Sequence, residues 1–324
     1  MTGPGGGGGG LAVVALGGNA ILRSGQEARG DVQIANMREV FRRTLPLLDQ
    51  YPHLVLTHGN GPQVGNILLR NELCRAEVPA MPLDVCVAES QGQIAYLALQ
   101  AWDQECLRAG REVPMLPMIT RTVVAADDPS FLSPTKPIGP YYPKERAERL
   151  QWEKGWSFRQ DPKRGGMRRV VPSPDVLRVA EEGHLKALCA SLPPPFVVLC
   201  GGGGGVPVVQ DGSGYRGVEA VVDKDLTSAR LAIILEADIL IMVTDVEAVY
   251  LDFTSDRPRP LLRATASEIR RHAAEGQFPA GSMGPKAEAA VRFVEATGRR
   301  AVIASADRLM EALEGRAGTT VERG

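Results

Sequence analysis

The 324-residue chain has no C-x-x-C or H-E-x-x-H pattern, so no metal-ligand spacing can be read from it. It also lacks G-x-x-x-x-G-K-[ST], and no Gly-Lys dipeptide occurs anywhere, which excludes a Walker P-loop. Its five cysteines are odd in number and widely spaced, mostly in apolar surroundings, and read as reduced core residues rather than a disulfide framework. A net charge of −1 leaves no bulk field to attract nucleic acid or an anionic membrane, so any anion site must be local. No stretch reaches the roughly 18 apolar residues of a membrane span, because Glu236 and Asp238 interrupt "LAIILEADILIMV". The N-terminus has no basic region followed by an apolar core, so cytoplasm is the default location.

What the chain does have is glycine. Residues 3–10, "GPGGGGGG", lie outside any apolar pattern and read as a flexible leader, 1–10. From residue 11 onward, short apolar strands alternate with helical segments. "LAVVAL" precedes a helix over 31–50, where Ile34, Met37, Phe41, Leu45 and Leu48 keep helical spacing behind a possible cap at Asp31. "HLVLT", a helix from about Pro62 to Cys74 and a longer one from about Asp84 to Leu107, stopped at Gly110, follow. The second half repeats the theme with "FVVLC", a helix 226–236, "DILIMVT", a helix 266–275 opened by the capping box "TASE", a helix 285–297 ended by Gly298, and "AVIAS". Such alternation predicts an α/β architecture with a mainly parallel sheet.

Residues 127–175 break this rhythm with eight prolines, ten Lys or Arg against seven Asp or Glu, and aromatics that include Tyr141, Tyr142, Trp152, Trp156 and Phe158. The charge excess is small and no stacking motif for RNA is present. The segment reads as a subdomain inserted over a cleft or as a long surface excursion.

Four glycine-bearing turns follow strand-like runs: "ALGGNA", "THGNGPQVGN", "CGGGGGVPV" and "GSMGPK". In an open parallel sheet the carboxyl ends of the strands face one side, and four such turns would line one crevice. Glycine lets backbone N–H groups approach a ligand, and a helix start adds roughly half a positive charge. Any one turn is equally explained as tight chain reversal. Lys224 and Lys286 sit near predicted helix starts, where a cation is disfavoured by about 0.3–1 kcal/mol. A bound polyanion would reverse that sign; solvated surface lysines are the plainer alternative. "GNGPQVG" also approximates the dinucleotide fingerprint, with Val64 where its third glycine would fall.

Together "VVALGGNAIL", "THGNGPQVGN", "MPLDVCVAESQGQIAY", "PTKPIGPYY", "RRVVPSP", "GGGGVPVV", "GVEAVVDKDL", "VTDV" and "AGSMGPK" resemble the amino acid kinase family over roughly residues 11–320, and within it the members that act on carbamate. The resemblance implies a three-layer α/β/α sandwich with a mainly parallel central sheet and a small protruding subdomain. A lobe at 11–195, including the insertion at about 127–175, would take carbamate or carbamoyl phosphate, and a lobe at 196–324 would take ATP or ADP. The implied reaction is direct, Mg²⁺-assisted phosphoryl transfer between ATP plus carbamate and ADP plus carbamoyl phosphate, running toward ATP in arginine or related nitrogen breakdown. The implied assembly is a homodimer, with neither nucleic acid nor membrane as partner. By the same resemblance Gly17, Gly18, Asn19, Gly59, Asn60 and Gly61 would surround the transferred group, with Gly202 and Gly203 beneath it. Lys224 and Lys286 would flank it, Asp225 would orient them, and Lys136 would reach down from the insertion. Thr244, Asp245, Val246, Tyr250, Met283 and Pro285 would lie around the nucleotide. No Ser/His/Asp set is needed for such chemistry, which asks for positioning and charge neutralisation. A related kinase with another acceptor, a nicotinamide dehydrogenase and a non-catalytic sensor remain as alternatives. Two features depart from the family pattern: a fifth glycine at Gly201, and Gly166–Met167 where an aromatic usually follows glycine.

Overall fold

The computed structural model describes residues 10–23, 25–160, 166–279 and 281–324, so the leader expected at 1–10 lies almost wholly outside the described residues. Strand β1 (Leu11–Leu16) leads through a short turn to α1 (Gly30–Thr44), β2 (His53–His58), α2 (Gly61–Leu73), α3 (Leu83–Arg108), β3 (Met115–Pro117) and β4 (Arg121–Val123). The segment expected as an insertion contains β5 (Lys136–Tyr142), α4 (Lys144–Lys154), β6 (Ser157–Gln160) and β7 (Met167–Val171). The chain returns through β8 (Arg178–Val179) and α5 (Glu182–Ser191) to β9 (Phe196–Leu199), the hairpin β10 (Val206–Asp211) and β11 (Gly214–Gly217), α6 (Lys224–Ile234) and β12 (Ile239–Thr244). A second hairpin, β13 (Val249–Leu251) and β14 (Arg259–Leu261), precedes β15 (Arg263–Thr265), α7 (Ala266–Ala274), α8 (Met283–Thr297), β16 (Ala301–Ser305), α9 (Leu309–Leu313) and β17 (Thr319–Glu322).

Eight strands form the central sheet in the order β15-β17-β16-β12-β1-β2-β9-β3, and from β16 to β3 every neighbour is parallel. The strands are apolar on both faces because both faces are covered. On β1, Ala12, Val14 and Leu16 point to one side with Phe41, Ile94 and Trp102 of α1 and α3; Val13 and Ala15 point to the other with Leu231, Val291 and Phe293 of α6 and α8. The strand period of two splits one hydrophobic run into two cores, giving the α/β/α sandwich. In the insertion, β5, β7 and β6 form an antiparallel sheet with its own small core of Tyr142, Ala147 and Leu150.

Several boundaries differ from the sequence expectation. Helix α1 is N-capped at Arg29, and Asp31 lies in its first turn with its carboxylate on the Arg29 guanidinium, so Asp31 is not the cap. Helix α6 begins at Lys224 rather than residue 226, because the Asp223 side chain accepts from the Asp225 backbone N–H as N-cap. The capping box of Thr265 and Glu268 forms as read, and Gly298 ends α8 at φ 71°. Cys74 is exposed, unlike the buried Cys86, Cys106 and Cys200.

Candidate active site at the strand ends

Four parallel strands, β1, β2, β9 and β12, end side by side, and each runs straight into a turn that carries candidate residues. Gly17 and Gly18 follow β1; an added Cβ on Gly17 would stand 2.9 Å from the Val243 carbonyl of β12. The backbone of Asn19 continues the same turn. Gly59 follows β2 and packs between Gly18 and the Lys224 side chain, while Gly61 opens α2.

The glycines after β9 have a specific task. Gly201 and Gly203 hold φ near +64°, a left-handed conformation that disfavours any side chain. A Cβ on Gly203 would sit 2.2 Å from Asn60 Nδ2, and one on Gly202 would sit 2.4 Å from His58 Nε2. The space left by these glycines is filled by the side chains of the β2 turn. Asn60 Nδ2 then donates to Ser90 Oγ at 2.8 Å, and the Gln91 amide nitrogen donates to the carbonyls of Gly202 and Thr120. Ser90, Gln91 and Thr120 escape sequence reasoning, since their partners are remote along the chain. Burial pulls His58 down to a pKa of about 4, so its ring is neutral and Nδ1–H donates to the Gly59 carbonyl.

Beside these turns lies the charge cluster. Lys224 Nζ donates to one oxygen of Asp225 at 2.6 Å and Lys286 Nζ to the other at 2.9 Å. The first comes from the start of α6 and the second from the first turn of α8, so two helix N-termini bring their cations to one carboxylate. Asp225 is buried, and both lysine side chains are nearly so. Burial lowers the Lys224 pKa, with the Lys286 charge adding to the effect and Asp225 opposing it. Burial also works against the Asp225 carboxylate, but the two ammonium groups outweigh it and hold its pKa below the usual range.

A cavity of about 320 Å³ opens against this cluster, lined by Gly17, Gly18, Thr244, Asp245, Val246, Tyr250, Phe253, Met283 and Lys286 among others. The Tyr250 and Phe253 rings lie 5.9 Å apart on its wall. Pro285 does not line it; it occupies the first turn of α8 next to Lys286. A larger cavity, about 530 Å³, lies away from the strand ends between the insertion and α2, where Lys154 pairs with Glu72 and the Arg169 guanidinium covers the Trp156 ring. Lys154 is paired with Glu72 and Arg169 with Glu219, so the smaller cavity, with two lysines and bare backbone at its edge, is the candidate site.

Strand β5 is seated on α2. Gly65 of α2 meets Gly139 of β5 so closely that a Cβ would stand 3.2 Å from the Gly139 backbone. From this platform Lys136, the first residue of β5, reaches Asp223 Oδ2 at 2.8 Å. At the place where an aromatic is missing, Met167 packs against the insertion's own core. Among the described residues no group of three or more His, Cys, Asp or Glu could hold a metal, and Asp223 and Asp225 are both engaged.

A model of the amino acid kinase family matches residues 158–305. The chain is 45% identical to a carbamate kinase of Thermococcus kodakarensis over 96% of its own length and 98% of the relative's. It is 43% identical to one of Pyrococcus furiosus over 95% and 98%. It superposes on the structure of Giardia lamblia carbamate kinase bound to AMP-PNP with a TM-score of 0.89, at 37% identity and covering 98% and 99% of the two chains.

Proposed function

Since the chain belongs to the carbamate kinases of the amino acid kinase family, we propose that its strand-end cleft performs their reaction with Lys224 and Lys286 as the charge-carrying groups. The protein is an ATP–carbamate phosphotransferase. The observation that carries the reading of its site is the single buried carboxylate, Asp225, holding two ammonium groups beside glycine turns and a nucleotide-sized cavity.

Toward ATP, the bond between phosphorus and the carbamoyl oxygen breaks while a β-phosphate oxygen of ADP bonds to phosphorus. In the reverse sense the carbamate oxygen attacks the γ-phosphorus. Both attacking oxygens are already anionic, so no side chain must remove a proton, which agrees with a neutral His58 whose Nδ1 proton is committed to the Gly59 carbonyl. What the protein supplies is positioning and charge: the ammonium groups of Lys224 and Lys286, with Asp225 aiming them, and backbone N–H groups from the Gly17–Asn19 and Gly59–Gly61 turns. Lys136 adds a third cation from the insertion. Thr244, Asp245, Val246, Tyr250 and Met283 surround the nucleotide, with the Tyr250 and Phe253 rings as a surface for the base, while Pro285 acts only through the first turn of α8 that carries Lys286. Residues 11–195 thus serve as the carbamate side and 196–324 as the nucleotide side.

Mg²⁺ fits an ion carried in on the nucleotide's phosphates, since the aspartates at the cluster are committed to lysines and the helix cap. Bound there, it would supply charge neutralisation on the nucleotide's phosphates, beside the ammonium groups of Lys224 and Lys286. The protein works in the cytoplasm in the direction of ATP synthesis. It works as a homodimer. Tyr96 and Leu107 on α3, Leu116 on the edge strand β3 and Ile119 just beyond it are exposed apolar side chains that a second copy would cover. The direct experiment follows ATP formed from ADP and carbamoyl phosphate in the presence of Mg²⁺. Turnover supports the reading, and nucleotide binding without turnover refutes it.

A further inference from the structure

The ion pair between Lys136 and Asp223 joins the insertion to the N-cap of α6. Lys136 belongs to the insertion, which rests on α2 through the Gly65–Gly139 contact and the half-buried Lys154–Glu72 pair. Asp223 belongs to the opposite side, one residue ahead of Lys224. Its carboxylate is held at both oxygens: Oδ1 accepts from the Asp225 backbone N–H at 2.9 Å, capping α6, and Oδ2 accepts from Lys136 Nζ at 2.8 Å. The cap prevents the carboxylate from turning away, so Oδ2 is a fixed anion facing the insertion. Charges alternate in the order Lys136, Asp223, Lys224, Asp225, Lys286, with Asp223 acting on Lys224 through the electrostatic field rather than a direct ion pair.

These contacts differ in kind. Asp225 is buried and gives each oxygen to a nearly buried lysine, whereas Lys136 is about one-third exposed and swings on a four-carbon stem. A dianionic phosphoryl group entering beside Lys224 and Lys286 presents more charge to Lys136 than one carboxylate already shared with a helix cap. We propose that Asp223 is a positioning residue for Lys136: it holds the ammonium at the cleft in the free enzyme, yields it to the incoming phosphoryl group, and recovers it as the product leaves. This rests on the reading of Lys136 as a phosphoryl contact. Asp223 therefore competes with the substrate for one cation, weakening substrate binding and speeding release.

The test uses the full chain with ADP, carbamoyl phosphate and Mg²⁺, comparing wild type, Asp223→Asn, Lys136→Met and the double variant. Asparagine keeps an oxygen for the α6 cap and removes the charge. The expected result for Asp223→Asn is a KM for carbamoyl phosphate lowered by about three- to fivefold, the scale of one partly exposed ion pair, together with a lower kcat and an unchanged KM for ADP. In the Lys136→Met background the same change has no further effect. A raised KM in Asp223→Asn, or an effect that persists without Lys136, overturns the role of Asp223 alone. Wild-type kinetics in Lys136→Met overturn the reading of Lys136 and the anchor with it. If the asparagine variant does not fold, Asp223→Ser retains a capping oxygen and carries the same predictions.

Discussion

Replacing Asp225 with asparagine removes one charge and almost no volume, so its effect isolates electrostatics. The two lysine nitrogens lie 2.6 and 2.9 Å from opposite oxygens of the same carboxylate. That geometry sets the ammonium groups roughly 5 Å apart, where two unit charges repel by about 3 kcal/mol at an effective dielectric constant near 20. In the wild type the carboxylate offsets this repulsion; in Asp225→Asn nothing does until a phosphoryl group arrives. Lys224, whose pKa burial already lowers, loses the partner that raises it, so its proton leaves at still lower pH. The two lysines also lose their common aim. At about 1.4 kcal/mol per decade, the variant's kcat for ATP formation falls roughly 100-fold at neutral pH. Its alkaline limb moves to lower pH, because the active form needs the ammonium. A hexokinase-coupled assay over the neutral to alkaline range measures both. A kcat within a few-fold of wild type, with an unmoved alkaline limb, would refute the argument that this carboxylate organises the cations.

Other residues give independent checks. Gly203→Ala places a Cβ 2.2 Å from Asn60 Nδ2 at a φ of +65°, and kcat falls at least about tenfold as the Asn60 turn is displaced. Tyr250→Ala removes an aromatic wall of the 320 Å³ cavity, raising the KM for ADP roughly fivefold with little change in kcat. Glu105 is fully covered on α3 and receives Arg38, Arg42 and Arg108; burial opposes its charge, but the three guanidinium groups hold its pKa near about 2. Since the folded pKa lies below the unfolded one, its contribution is present above about pH 4.3 and is lost as pH falls toward 2. Glu105→Gln therefore costs about 2 kcal/mol near neutrality through loss of the carboxylate's ion pairs, a cost limited because the part-exposed arginines regain water, and it flattens the acid loss of stability in thermal melts.

The parallel sheet is legible in the sequence because its strands are buried on both faces and read as continuous apolar runs between helical periods. Lys224 and Lys286 stand out because cations are out of place at helix starts. The glycine run after β9 is legible as a turn, but not as the hollow that admits His58 and Asn60, since that depends on how two distant loops nest. The hairpin β10–β11 carries a Gly-Ser turn signal at Gly212–Ser213 and still escapes a reading built on strand–helix alternation. The start of α6 is displaced by two residues because Asp223 and Asp225 flank Lys224 symmetrically, and only the hydrogen bond from the Asp225 N–H identifies which is the cap. The pairing of Lys136 with Asp223 joins residues 87 positions apart, and no local pattern announces it.

The account stands on two ammonium groups meeting the migrating phosphoryl group, and the most direct measurement is kcat for ATP formation in Lys224→Ala and Lys286→Ala, set beside ADP binding by calorimetry. Each variant is predicted to lose about 10³-fold in kcat while keeping ADP affinity within a few-fold. Near-wild-type turnover in either one would contradict it.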